Sequence, residues 1–106
     1  MSKTNEVLLA EITHRLVNEL HPDKILLFGS QVWGQPGEDS DIDLLVIVPQ
    51  SNETPTKRAT RAYRSLRGVP APIDILVHTR AEIERGQRVY ASLISEVMER
   101  GRVLYG

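Results

Sequence analysis

The eight residues Asp41 to Val48, DIDLLVIV, constrain this chain more than any other segment. Six of them are aliphatic, the run is too short for a helix of its own, and Pro49 closes it. That is the strongest strand signal in the sequence. It also begins with two carboxylates at alternate positions, Asp41 and Asp43, where an apolar strand gains nothing from charge. Alternate strand residues point the same way, so the pair shares one face with Cα atoms ~6.6–6.8 Å apart.

The remaining elements arrange themselves around this strand. Val7, Leu8, Leu9, Ile12, Leu16, Val17 and Leu20 recur at helical spacing, and Pro22 forbids continuation. A first helix is therefore expected over about residues 4–20, with Glu11–Arg15 and Arg15–Glu19 as i,i+4 pairs. Lys24 to Phe28 (KILLF) reads as a first strand ending at Gly29, and residues 30–40 as a loop with one helical turn at its start. Thr54-Pro55 is an N-cap and first-turn pair opening a helix that runs to Gly68. Ile73 to His78 (IDILVH) is a further strand. Thr79 to Glu82 has the form of a capping box. Tyr90, Leu93, Ile94, Val97 and Met98 mark a final amphipathic helix stopped by Gly101, with a short edge strand over Arg102 to Tyr105. The expectation is an α/β (α+β) chain in the order α-β-α-β-α-β on a small mixed sheet, residues 1–106 forming a single domain.

Composition narrows the function. Thirteen Lys plus Arg against 14 Asp plus Glu leave a net charge of −1, which argues against bulk electrostatic binding of nucleic acid. The chain has no cysteine, so disulfides, thiolate metal sites and cysteine nucleophiles are excluded. Charges interrupt the apolar positions of MSKTNEVLLAEITHRL, unlike a signal peptide, and no apolar run approaches the ~18 residues of a membrane span. A cytoplasmic protein without membrane contact is expected.

The chemistry lies in three carboxylates and a turn. Asp41 and Asp43 repel unless a cation neutralises them, and hard oxygen ligands of this kind suit Mg²⁺ beside substrate phosphates. Asp74 sits between Ile73 and Ile75, an expensive place for a lone charge. If the two Asp-bearing strands are neighbours, as chain order suggests, Asp74 faces the same space. Three carboxylates from two strands would then hold two metal ions for an in-line phosphoryl displacement. Gly29-Ser30 follows the first strand directly; glycine permits a tight turn, and the amides beyond it with the Ser30 hydroxyl would meet an anion.

The segment GSQVWGQPGEDSDIDLL, with ten residues between Ser30 and Asp41, resembles the signature of polymerase β-type nucleotidyltransferases, closest to the minimal nucleotidyltransferases of prokaryotes. The likeness covers Lys24 to His78 and extends to the ending ERGRVLYG. It implies a nucleotidyltransferase fold in which Gly29 and Ser30 hold the triphosphate. Asp41 and Asp43 would bind the metal ions. Asp74 would bind the catalytic metal and help deprotonate the acceptor hydroxyl. Gln31, Val32 and Trp33 depart from the Arg or Ala that many members carry there.

The implied reaction is Mg²⁺-dependent transfer of a nucleoside monophosphate from a nucleoside triphosphate to a hydroxyl, with two ions and ATP as substrate. Stand-alone members are commonly antitoxins paired with a HEPN-domain ribonuclease toxin, and several adenylylate a tyrosine of that toxin (AMPylation). No second domain to grip an acceptor is visible, so a partner is expected to supply one. The toxin's own Arg-x-x-x-x-His motif is absent, since Leu9, Leu16 and Ile73 stand five residues before His14, His21 and His78. Two alternatives stand beside adenylylation of a toxin: an antitoxin that neutralises by binding alone, and a small-molecule transferase of the aminoglycoside-modifying kind. Homo- and hetero-oligomers are both open.

Other residues have ordinary readings as well. Asp41 alone would be a strand-start cap, Asp43 a solvated edge residue, and Asp74 a hydrogen-bonded structural aspartate. Trp33 fits base stacking, a partner interface or packing over the sheet edge equally well. Arg58, Arg61, Arg64 and Arg67 recur every third residue opposite Ala59, Ala62, Tyr63 and Leu66. A solvated face is the expectation for that row, with contact to phosphate or an acidic partner as the alternative. His78 reads as a strand-end surface residue.

Overall fold

The computed structural model describes residues 3–29, 32, 41–88 and 93–106. Ser30, Trp33 and Tyr90, singled out in the sequence, lie outside the described residues.

Helix α1 (Lys3–Leu20) leads into β1 (Lys24–Phe28), then β2 (Ile42–Val48), helix α2 (Pro55–Ser65) and β3 (Ile73–Thr79). Helices α3 (Arg80–Arg88) and α4 (Leu93–Arg100) precede the edge strand β4 (Arg102–Tyr105). The sheet order is β3-β2-β1-β4. β1 runs antiparallel to β2 and β4, whereas β2 and β3 are parallel, as a crossover through α2 requires. The mixed sheet with helices is the expected nucleotidyltransferase-type architecture. The order among the described residues, however, is α-β-β-α-β-α-α-β rather than α-β-α-β-α-β, because the antiparallel β1–β2 pair needs no crossover helix.

Pleating divides the strand residues between two faces. Ile25, Leu27, Ile42, Leu44, Val46, Val48, Ile75 and Val77 pack with Leu9, Ile12 and Leu16 of α1 and Ala62 of α2. On the other face Leu26, Phe28, Leu45 and Ile47 meet Ile83 of α3 and Val97 of α4. That second cover is narrower and leaves β3 open: Asp74 is exposed, and Leu76 keeps 37% of its surface in water. The wide layer holds the fold together, and the narrow layer leaves room for a site.

Local signals act as expected at several ends. Helix α1 stops at Leu20, with His21 at φ 47 and Pro22 next. Thr54 caps α2, its Oγ1 accepting from the Lys57 N–H at 3.2 Å, with Pro55 in the first turn. Thr79 Oγ1 accepts from the Glu82 N–H at 3.2 Å while Glu82 Oε1 accepts from the Thr79 N–H at 2.7 Å, a complete capping box. Elsewhere the structure differs. Helix α2 ends at Ser65, and Leu66 and Arg67 turn toward Gly68 at φ +89. The C-terminal region holds two helices among the described residues. Gly86 of α3 makes their packing possible, because a Cβ there would stand 3.0 Å from Ile94 of α4.

Val7 lies off the packed side of α1 and is 70% exposed. Arg15 pairs with Glu11 at 2.9 Å, but its guanidinium also reaches the Arg67 carbonyl at 2.9 Å, and Glu19 instead serves Arg61. The expected solvated row of arginines requires correction at its first member. Arg58 is 5% exposed, and its guanidinium donates to the Glu53 and Val77 carbonyls and to both carboxylate oxygens of Glu82. A full set of charge-assisted partners is what permits its burial.

Candidate functional site

Backbone pairing brings Asp43 and Asp74 together. They are direct partners in the parallel β2–β3 ladder, and Phe28 is the antiparallel partner of Asp43 on the other side. Cross-strand partners project to the same face, so both carboxylates stand on the side of the sheet that α3 and α4 only partly cover. The Ile42 N–H donates to the Pro72 carbonyl at 2.9 Å, holding the two strand starts together. Asp41, one residue before β2, is exposed and alternates with Asp43.

Gly29 closes the site from β1. Its φ of +78 lies in the left-handed region, and a Cβ at this position would collide with the Asp43 carboxylate. Glycine thus serves twice, supplying the turn and leaving space for the acid. The Gly29 carbonyl accepts from the Val32 N–H at 2.9 Å, so the chain turns immediately after β1.

Electrostatics follow from this crowding. Partial burial, then the neighbouring Asp74, then Asp41 push the Asp43 carboxyl above the usual aspartate range. No ion pair among the described residues involves Asp41, Asp43 or Asp74. Among the described residues no three His, Cys, Asp or Glu side chains form a ready metal cage. The donors are nonetheless of the type a hard divalent cation takes, and exposure leaves Asp41 and Asp74 free to rotate toward Asp43. The residues present therefore fit Mg²⁺ in chemistry and in strand placement, with final convergence left to binding.

Other candidates divide clearly. His78 shares the face of Asp74 but lies at the far end of β3, its Nδ1 3.7 Å from Glu82 Oε1. His14 contacts Asn18 at 3.1 Å on the exposed side of α1. Arg61 pairs with Glu53 and Glu19, which leaves Arg64 and Arg67 as the exposed members of the row. Tyr63, read from the sequence as a core or rim residue on the apolar side of its helix, is 44% exposed, and its hydroxyl accepts from the Ile75 N–H at 2.9 Å beside Asp74. No local signal announces that contact, since the partners lie on different elements.

The fold is consistent with a nucleotidyl-transferring class. The chain belongs to the nucleotidyltransferase domain family, whose model matches residues 9–104, and it is accordingly a transferase. No curated protein matches it. Among solved structures, a protein of Sulfolobus solfataricus assigned as a nucleotidyltransferase is similar at 25% identity and a TM-score of 0.60, over 74% of this chain and 70% of that one. A chain of a toxin–antitoxin complex with AMP-PNP is similar at 22% identity and a TM-score of 0.58, over 92% of this chain and 73% of that one. At that identity the second likeness concerns the fold. No helix among the described residues is long and apolar enough to cross a membrane.

Proposed function

We propose that the chain transfers a nucleoside monophosphate from a nucleoside triphosphate, ATP in the first instance, to a tyrosine hydroxyl of a HEPN-type toxin and so neutralises it. The observation that carries this reading is the register pairing of Asp43 with Asp74 above a Cβ-free Gly29. The toxin partner is supported by the toxin–antitoxin complex among the structural neighbours.

In the mechanism, the acceptor oxygen attacks the α-phosphorus, the bond to the bridging oxygen breaks, and pyrophosphate leaves. Asp41 and Asp43 would hold Mg²⁺ together with the triphosphate, and Asp74 would share the ion nearest the acceptor. Bound there, Mg²⁺ (two ions in this reading) would supply charge neutralisation for the phosphates and the departing pyrophosphate. Asp74, the more exposed of the strand pair, receives the acceptor proton. Gly29 lets the triphosphate approach the end of β1, and Ser30 would donate to it. Positioning of the two reactants supplies much of the rate.

A second reading is neutralisation by binding alone, with the nucleotide site idle. One experiment separates the two. Incubation with labelled ATP, Mg²⁺ and the purified protein encoded beside this one should label a partner tyrosine, and Asp41→Asn should abolish the label. A tight complex that forms without transfer, and survives Asp41→Asn with Asp43→Asn, would establish the binding-only antitoxin.

A further inference from the structure

Strand β3 is the edge of the sheet that carries Asp74, and no strand among the described residues lies beyond it. Three of its outward backbone groups nevertheless have side-chain partners. The Ile75 N–H donates to Tyr63 Oη at 2.9 Å, the Val77 carbonyl accepts from Arg58 Nη1 at 3.0 Å, and the Thr79 N–H donates to Glu82 Oε1 at 2.7 Å. Side chains of α2 and α3 thus satisfy three of the groups that a bare edge exposes.

The Tyr63 contact differs from the other two in its placement. It grips the amide directly after Asp74, where the strand is under electrostatic load. Asp43 and Asp74 are like charges directly opposite each other, an arrangement that pushes neighbouring strands apart. β2 is held between two strands, whereas β3 has none on its outer side among the described residues. Tyr63 is 44% exposed and is absent from the main cluster of buried side chains, which Ala62 of the same helix and its C-cap residue Leu66 join. Its hydroxyl does something that its ring does not.

We propose that Tyr63 is a positioning residue: by holding the Ile75 amide it keeps the Asp74 backbone in register opposite Asp43, at the spacing a shared divalent cation needs. This rests on the reading of Asp43 and Asp74 as the metal-holding pair. Tyr63 touches neither carboxylate, so its effect passes through the backbone of β3.

Tyr63→Phe removes one oxygen and leaves the ring. Three measurements on the full chain test the proposal: Mn²⁺ affinity, amide hydrogen exchange resolved by residue, and kcat against KM for labelled transfer to the partner. Expected are an Ile75 amide exchanging at least about tenfold faster, unchanged protection at Leu45 and Val46, and Mn²⁺ affinity weakened about 2- to 10-fold, the worth of one neutral hydrogen bond. kcat should fall by a similar factor with KM for ATP within about twofold. Mn²⁺ affinity equal to that of the unaltered protein overturns the proposal. So does uniform loss of protection across β1 and β2, which would make Tyr63 a residue of general stability. If the unaltered protein binds Mn²⁺ but transfers nothing, and Tyr63→Phe still weakens that binding, the positioning role stands and the transferase reading alone fails. Absence of Mn²⁺ binding by the unaltered protein overturns both.

Discussion

At the Ile73 end of β3, Asp74 faces Asp43 with Asp41 close by, and no ion pair among the described residues neutralises them. At the Thr79 end, Glu82 receives both arms of the Arg58 guanidinium at 2.7 and 3.3 Å together with the Thr79 amide at 2.7 Å. The shifts of the two acids run in opposite directions. Crowding raises the Asp43 carboxyl, while Arg58 first, aided by Thr79, lowers Glu82 to about 2. One end of the strand satisfies its charge internally and the other leaves it without an ion pair among the described residues. A fold retains an unneutralised cluster only at some expense in stability, so the open end is where function is expected and the closed end is where architecture is secured.

The largest expected effect breaks the open end. Asp43→Asn keeps the shape and removes the charge. In the proposed reaction, where Asp43 would be a direct metal ligand, labelled transfer to the partner should fall at least about 100-fold. The unliganded protein should melt at the same temperature or higher, because a mutual repulsion has been relieved. Transfer assays with thermal unfolding on one preparation check both halves. A variant that loses activity by unfolding would place Asp43 with Glu82 as architecture and dissolve the contrast.

Arg58→Met should do the reverse. It strands Glu82 and the Val77 carbonyl and leaves the carboxylates at the far end of β3 in place. Removing one partner of a buried pair costs ~3–5 kcal/mol; with 23% of the Glu82 side chain still exposed, about 2–3 kcal/mol is expected here. In a domain of this size that lowers the melting temperature by on the order of 10 °C. Activity per folded molecule should change by less than about threefold, measured well below the new melting point.

This residue also shows where reading the sequence stops. The strands, the Asp41–Asp43 alternation, the Thr54 cap and the Thr79–Glu82 capping box were all legible, because each is written within a few neighbouring positions. The pairing of Asp43 with Asp74 needed only the inference that consecutive strands lie together. Arg58 was not legible. Its spacing with Arg61, Arg64 and Arg67 is that of a wet helix face, and its partner Glu82 is 24 residues away on another helix. The Tyr63 contact was not legible for the same reason, its hydroxyl meeting a backbone amide 12 residues on. Periodicity records which side of a helix is apolar; it carries no record of a polar side chain matched across elements. Gly86 is a further case, since the space it leaves is defined by Ile94 of the next helix.

Acid titration sharpens the comparison without changing a site residue. Glu82 is held near 2 in the fold against 4.5 ordinarily, so the unfolded chain binds the proton first as pH falls. The stability it contributes is complete above about pH 4.5 and is lost progressively toward pH 2. Urea midpoints of the unaltered protein and Arg58→Met should therefore stand well apart at pH 7 and converge across that window. A gap independent of pH would mean that Arg58 acts through packing and its carbonyl contacts rather than through Glu82.

The smallest effect isolates the capping box from the ion pair. Thr79→Ala deletes the Oγ1 that accepts from the Glu82 N–H at 3.2 Å. It keeps the Thr79 backbone amide, which donates to Glu82 Oε1, and it leaves Arg58 untouched. Loss of a helix cap costs about 1 kcal/mol. Thr79 is also buried, so removal of its methyl adds a modest packing loss on the same side of the ledger. Urea unfolding should register about 1–2 kcal/mol, less than Arg58→Met, with the acid-dependent slope retained because the pair that shifts Glu82 survives. A slope that vanished with Thr79 would show that the cap, rather than the guanidinium, holds the carboxylate in place, and the closed end of β3 would then owe its stability to local geometry.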